Sequence, residues 1–278
     1  MPTQEGDLVY GCLTHVPLWI DFPSFVTPIY LGESQGGGRQ NLRDLAPEWE
    51  AYHPILGGLA GTFALKAYVQ KFCPDAKKVG ICQYRKFISR QKIGTPSANY
   101  KTMNVLPKSE LDRLSLDDLM APGGTDFLIG QPAGFKIIDG VRRDYLGQYG
   151  DAHVVEDFLR FTAEAAELGV LERAEVHSFL HETIFFPGGV EIGVFPADFW
   201  LKTVAAIEFV VCSCVLRHPA TRDGYQARVW AFCAERLGSY LLLKHLKTNY
   251  TTVNWPDQFC GHINLINQDE SLNYVPGT

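Results

Sequence analysis

Basic charge is scarce in this sequence. Lys and Arg number 25 against 31 Asp and Glu in 278 residues, for a formal net charge of −6 at pH 7. Such a chain lacks the global positive footprint of a nucleic-acid binder, so no nucleic-acid partner is expected. Cysteine is sparse, odd in number and without a C-x-x-C pair: the seven are Cys12, Cys73, Cys82, Cys212, Cys214, Cys233 and Cys260. That excludes a disulfide framework and points to buried, reduced thiols in a cytoplasmic protein. No long apolar run is free of charge. The nearest approach, Phe199 to Leu216, carries Lys202 and Glu208. It reads as a core helix rather than a membrane span, with peripheral association left open. The opening MPTQEGDLVYG has neither the basic start nor the apolar core of a signal peptide. A cytoplasmic location, extending to the inner face of the membrane, is the expectation. Repeats and low-complexity blocks are also absent. What remains, 46% hydrophobic and 20% charged residues, is the composition of a folded globular chain.

Several site motifs are missing as well. The glycine-rich stretch GESQGGGRQN (residues 32–41) has no following G-K-[ST] and is no G-x-G-x-x-G. It is neither a P-loop nor a dinucleotide fingerprint. It reads as a surface loop, or as a lid whose Arg39 or Arg43 reaches a phosphate. No two Asp residues are separated by a single residue.

The apolar runs that are present alternate between strand and helix patterns. Asp7–Leu13, Phe25–Leu31, Val79–Cys82, Phe127–Ile129 and Ile184–Phe186 read as strands. Leu56–Phe72, Asp151–Leu168, Pro196 to about Leu216 and Ala227 to about Leu246 read as helices. Ser109 before Asp112 and Ser115 before Asp118 suggest two helix caps. The last thirty residues are polar and read as a tail. The expectation is one α/β domain over residues 1–250, a parallel-rich central sheet flanked by helices with a C-terminal helical layer, and a tail at 251–278 packed on it. Ligands of such sheets bind beyond the carboxyl ends of strands. That focuses attention on Thr14–His15, Gln83–Lys86 and Pro187–Glu191.

Four clusters carry chemistry. KKVGICQYRKFIS (77–89) places Tyr84, Arg85 and Lys86 directly after a buried strand, where a guanidinium fork and an ammonium suit phosphate oxygens. His153 and Asp157 stand four apart on one expected helix, with Glu156 between them. They form either an acid–base pair or a surface ion pair. His177, His181 and Glu182 (HSFLHE) have the spacing of a partial zinc site. In RDGYQARVWAFCAERL (222–237), Arg228 and Glu235 are either a structural ion pair or part of a reaction centre.

At VGICQYRKFI the sequence resembles a family of bacterial glycosyltransferases from capsular and exopolysaccharide clusters, long filed as a domain of unknown function. That family carries a HYRRY-type signature after a strand. Here Gln83 replaces the His and Lys86 the second Arg. PIYLGESQGGGRQN, YLGQYGDAHVVEDF and GYQARVWAFCAERL resemble its other stretches in order, the first without the family's acidic residue and the last with Ala231 where Gly is usual. FFPGGVEIGVF resembles the loop that reads the sugar, with Pro187-Gly188 where Asn is common. The resemblance spans about Asp7 to Leu246. It implies a single GT-A-like domain, a nucleotide-diphosphate-sugar donor, and a glycan or lipid-linked glycan acceptor. It implies donor contacts from Thr14, His15, Arg39, Gln83, Tyr84, Arg85, Lys86, Gly188 and Gly189. A base would come from Glu191, Asp157, Glu235 or His153. Because the Asp-x-Asp pair of metal-dependent transferases is missing, Arg85 and Lys86 are expected to stabilise the departing diphosphate without a required cofactor. Room is left for Mn²⁺ or Mg²⁺, and Tyr84 is a candidate to stack on the base or sugar. Two other readings stay open: a non-catalytic binder on a degenerate transferase fold, and a metal-dependent hydrolase built on His177, His181 and Glu182.

Overall fold

The structure, a computed structural model, describes residues 7–34, 40–100, 102–121, 123–138, 140–219 and 222–268. Its centre is a mixed, mostly parallel sheet. In chain order the strands are β1 (Leu8–Thr14), β2 (Val26–Tyr30), β3 (Gln40–Asn41), β4 (Lys78–Gln83), β5 (Lys86–Ser89), β6 (Thr95–Pro96), β7 (Met103–Pro107), β8 (Ile129–Gly130), β9 (Gly193–Pro196) and β10 (Cys260–Asn267). The spatial order is β3-β2-β1-β4-β5-β10-β7-β6, with β9 antiparallel on β4 and β8 parallel on β10. β1 lies parallel between β2 and β4, with Cys12 opposite both Pro28 and Cys82. It is buried almost throughout, as a parallel strand covered on both faces must be.

Side chains alternate across the sheet, so one strand feeds two cores. Val9 and Leu13 enter a large cluster with Phe63, Trp200 and Trp230, whereas Tyr10 and Cys12 join Phe87, Leu106 and Ile263 on the other face. Five helices make up most of the layers: α1 (Gly58–Phe72), α2 (Tyr145–Ala152), α3 (Val155–Glu167), α4 (Ala197–Arg217) and α5 (Val229–Asn249). By length and composition α4 could cross a membrane. Here it packs against α1, α3 and α5, and its Glu208 accepts from Trp49 Nε1 at 2.8 Å and pairs with Lys66.

Four expectations change. The helix read over Asp151–Leu168 is two helices, because His153 and Val154 are extended and send the His153 ring away from the helix axis. His153 and Asp157 therefore share no helix face. The helix at Leu56–Phe72 is interrupted by Gly57, whose φ of +55° starts α1 afresh. Ser109 is not at the cap position, since it lies inside the turn Lys108–Leu111 with Pro107 there, whereas Ser115 Oγ does accept from the Asp118 N–H. Within the expected tail, residues 255–267 belong to the fold. Trp255–Phe259 is a short helix and β10 is an inner strand between β5 and β7. Its Asn264 masked that role: the buried amide nitrogen donates to Ser89 Oγ (2.8 Å) and His262 O (3.0 Å), while Oδ1 has no partner among the described residues. Residues 269–278 lie outside the described residues.

Candidate active site

β1 is the strand where the sheet order reverses: β2 lies to one side and β4, reached through α1, to the other. Crevices at such switch points bind ligands. A cleft of about 350 Å³ opens there. His15 follows β1. Tyr84 and Arg85 form the two-residue turn between β4 and β5, fixed by the Gln83–Lys86 pairing and by bonds from Tyr84 N to Leu13 O (2.9 Å) and from Ile266 N to Arg85 O (2.8 Å). Burial of the strands on both sides thus presents Gln83, Tyr84, Arg85 and Lys86 to the cleft.

The opposite wall comes from a turn and the entry of α5. Pro187 and Gly188 occupy the centre of a turn closed by Gly189 N to Phe186 O at 2.8 Å, with Gly188 at φ +81°, the type II pattern. The turn aims the Gly188 N–H at Glu235 Oε1, 2.8 Å away, and places Glu191 on the cleft. Arg228, Ala231, Phe232 and Glu235 line the same wall at positions i, i+3, i+4 and i+7 of the α5 entry. Gly57 is the third local device. A Cβ there would stand 2.2 Å from Arg228 Nη2, so its absence lets the guanidinium lie against the start of α1. The N-cap has no side-chain hydrogen bond. The first turn of α1, through Gly57, Gly58 and Leu59, lines the cleft beside Arg228 and brings the positive dipole end of the helix to it. Arg228 Nε is buried with no partner among the described residues.

Arg85, Lys86 and Arg228 thus share one cleft with Glu191 and Glu235. Burial, then the Arg85 charge, pushes Lys86 down to about 8, against the raising effect of Glu235 and Glu191. Burial, then repulsion from Glu235, pushes Glu191 up to about 8, against Arg228 and Lys86. The Glu191 carboxyl opens on the cleft but is otherwise surrounded by protein. His15 and His53 are both lowered, first by burial and then by neighbouring charge.

Of the residues singled out from sequence, His15, Gln83, Tyr84, Arg85, Lys86, Gly188, Glu191 and Glu235 line this cleft. Thr14 is fully buried beneath it, its hydroxyl donating to Val16 O at 2.6 Å. Gly189 packs on the α5 backbone instead, where a Cβ would come within 3.0 Å of Glu235 O and Ser239 N. Arg39 lies outside the described residues, and Arg43 bonds Gly32 O away from the cleft. Tyr84 is nearly buried, with His15 edge-on at 5.0 Å and the Arg85 guanidinium 5.6 Å from its ring, so its face is not an open stacking surface. His153 and Asp157 do not line the cleft. Asp157 is 2% exposed and accepts two bonds from Arg222 (3.1 and 3.2 Å), and His153 stacks on Phe232. Arg228 and Glu235 form no ion pair: Arg228 turns to Gly57 and Glu235 to Gly188.

The ligand set of a zinc hydrolase does not assemble. Glu182 Oε1 accepts the Thr183 and Ile184 N–H groups, His181 bonds Asp144 at 2.7 Å, and no three His, Cys, Asp or Glu converge on a metal position among the described residues. Sequence reasoning missed His53, Gly57, Tyr225 and Phe232. The α5 members had a signal, the shared phase of 228, 232 and 235. His53 and Gly57 had none. G-E-S-Q-G at 32–36 has the letters of a nucleophile elbow, and Gln35 and Gly36 lie outside the described residues.

No protein-family model matches the chain, and no curated protein matches it. Among solved structures it is similar to the apo structure of WbbM, a bifunctional glycosyltransferase, with a TM-score of 0.70 over 94% of this chain at 13% identity. This chain spans 46% of that one, about half its length. At such identity the likeness speaks for the fold: the chain has a glycosyltransferase-like α/β fold.

Proposed function

We propose that this protein is a glycosyltransferase that moves a sugar from a nucleotide-diphosphate-sugar donor to a hydroxyl of a glycan or lipid-linked glycan, in bacterial surface polysaccharide synthesis on the cytoplasmic side of the membrane. One observation carries the reading. Arg85, Lys86 and Arg228 meet the uncapped start of α1 at the sheet's switch point, opposite two carboxylates. Cations and backbone N–H groups gathered at a helix start are suited to a diphosphate.

In the transfer step the acceptor oxygen attacks the anomeric carbon. The bond from that carbon to the diphosphate oxygen breaks, and its electron pair leaves with the diphosphate. Arg85, Lys86, Arg228 and the α1 start stabilise the growing charge. The acceptor proton goes to Glu191, which faces the cleft with its pKa pushed up to about 8 and accepts once ionised. Glu235, held by the Gly188 N–H, anchors the wall beside it and is the second candidate base. The donor set here does not suit a resident divalent cation: the two carboxylates stand among three cations, and one of them is already engaged by Gly188.

Calorimetric titration with UDP, GDP, CDP and ADP, in EDTA and then with Mn²⁺, tests this. Binding to at least one diphosphate in EDTA is expected. It should weaken about 100-fold in Lys86→Ala combined with Arg228→Ala. Binding only with Mn²⁺ would refute the cationic leaving-group site. No binding at all would refute the transferase reading. Diphosphate binding without release of diphosphate from any nucleotide sugar would leave the non-catalytic binder.

A further inference from the structure

The donor half of the cleft leaves an aromatic pair at the cleft wall without a task. Tyr225 belongs to the 3-10 turn Gly224–Arg228, in which residues three apart eclipse. It therefore shares the cleft side with Arg228, yet 48% of it is exposed. Phe232 lines the same wall, its ring 4.9 Å from that of Tyr225. Behind Phe232 lies His153, nearly parallel at 4.3 Å and 19°. His153 Nδ1 is hydrogen-bonded to Gln226 Oε1 at 2.9 Å, and Gln226 Nε2 donates to Ala152 O at 3.1 Å. Three positions past the α2–α3 break, buried Asp157 takes both bonds from Arg222. The stretch 222–228 is thus clipped at two points to the place where the helix is broken. Breaking it is what frees the His153 ring to support Phe232.

We infer that Tyr225 and Phe232 form a platform for a sugar ring of the acceptor, and that His153 and Asp157 are positioning residues that hold it. The inference deepens the transferase reading and rests on it. The C–H face of a pyranose is apolar and slightly positive, which complements the negative face of an aromatic ring. A nucleobase would also stack on such rings. The switch point, however, where such folds seat their nucleotide, lies beside His15, Leu31 and His53, which line the same cleft, and on the proposed reading the base goes there. Phe232 precedes Glu235 by three residues on one helix face, so a ring resting on Phe232 has its hydroxyls beside the carboxylates.

Saturation-transfer NMR with methyl glycosides of galactose, glucose, mannose and N-acetylglucosamine tests the platform, with nucleoside diphosphate titrations run on the same proteins. At least one glycoside should show transfer to its ring C–H protons. The signal should fall about fivefold in Tyr225→Ala and persist in Tyr225→Trp. His153→Ala should lose it and His153→Phe, which keeps the stack, should restore most of it. Diphosphate affinity should be the same in Tyr225→Ala as in the unmodified protein. No glycoside signal, or one untouched by Tyr225→Ala, would overturn the platform. Loss of diphosphate affinity in Tyr225→Ala would make it a base site and overturn the acceptor assignment. A Tyr225-dependent glycoside signal in a protein that binds no diphosphate would sink the transferase reading and leave the sugar platform standing.

Discussion

Lys86 and Glu191 depend more on their setting than any other residues of the cleft. Each is brought to about 8, Lys86 from above and Glu191 from below. They influence one another, so the titration belongs to the pair. A reaction that needs ionised Glu191 and protonated Lys86 gains rate as Glu191 loses its proton and loses rate as Lys86 does. A bell-shaped kcat/KM profile centred at about pH 8 follows. Glu191→Gln should remove the acid limb and lower the rate by about 10²- to 10⁴-fold. A profile in Glu191→Gln that keeps its acid limb would move the proton transfer to Glu235. The residues of the β4–β5 turn were legible in sequence because an apolar strand run ends in Gln83 and the cations follow at once. Arg228 was legible only as a helix residue near Glu235. Its place at the start of α1 depends on Gly57, which is 171 positions earlier in the chain.

Helices are tied to one another by buried polar groups as well as by apolar stripes. Glu164 on α3 is 4% exposed and accepts from Ser213 Oγ (2.7 Å), Arg217 (3.1 Å) and His218 (2.8 Å) at the end of α4. Burial, the largest influence, pushes its carboxyl up, but the bonds from Ser213 and His218 and the charges of Arg217 and His218 outweigh it and hold it below the ordinary value. A carboxylate lowered on folding adds stability above its unfolded pKa and loses it as pH falls through the folded one. Glu164→Gln should therefore cost about 1–3 kcal/mol at neutral pH and progressively less below about pH 4. Urea unfolding at both pH values measures this, and parallel losses at both would refute the role of the charge. The break between α2 and α3 is the element the sequence pattern hid. DAHVVEDFLRF keeps helical periodicity through His153, and only the partners Gln226 and Phe232 explain why the ring leaves it.

At the scale of the whole molecule the decisive piece is β10. It pairs antiparallel with β5 and parallel with both β7 and β8, and it buries Ile263, Leu265 and Ile266. Without it β5 and β7 would become open edges with an unfilled core between them, and open edges associate. A chain of residues 1–250 should be insoluble or lack cooperative thermal unfolding by circular dichroism. A soluble 1–250 fragment with native-like cooperativity would mean that residues 251–267 are dispensable. Because Arg85 O accepts from the Ile266 N–H, the same strand also fixes the turn that carries Arg85 and Lys86.

Local pattern was enough for the early strands β1, β2 and β4, the helices α1, α4 and α5, and the α/β class. Each of those buries a contiguous apolar run whose period reveals the element. It was also enough for the β4–β5 turn, since residues that directly follow a buried strand emerge at its end. Tertiary structure alone decided three things: that a polar C-terminal stretch enters the middle of the sheet, that His153 and Asp157 brace a turn instead of lining the cleft, and that Arg228 lies on Gly57. All three rest on contacts between residues far apart in the chain. The energy of an Asn in a core, a His outside a helix or a guanidinium against a backbone is set by the partner that meets it there.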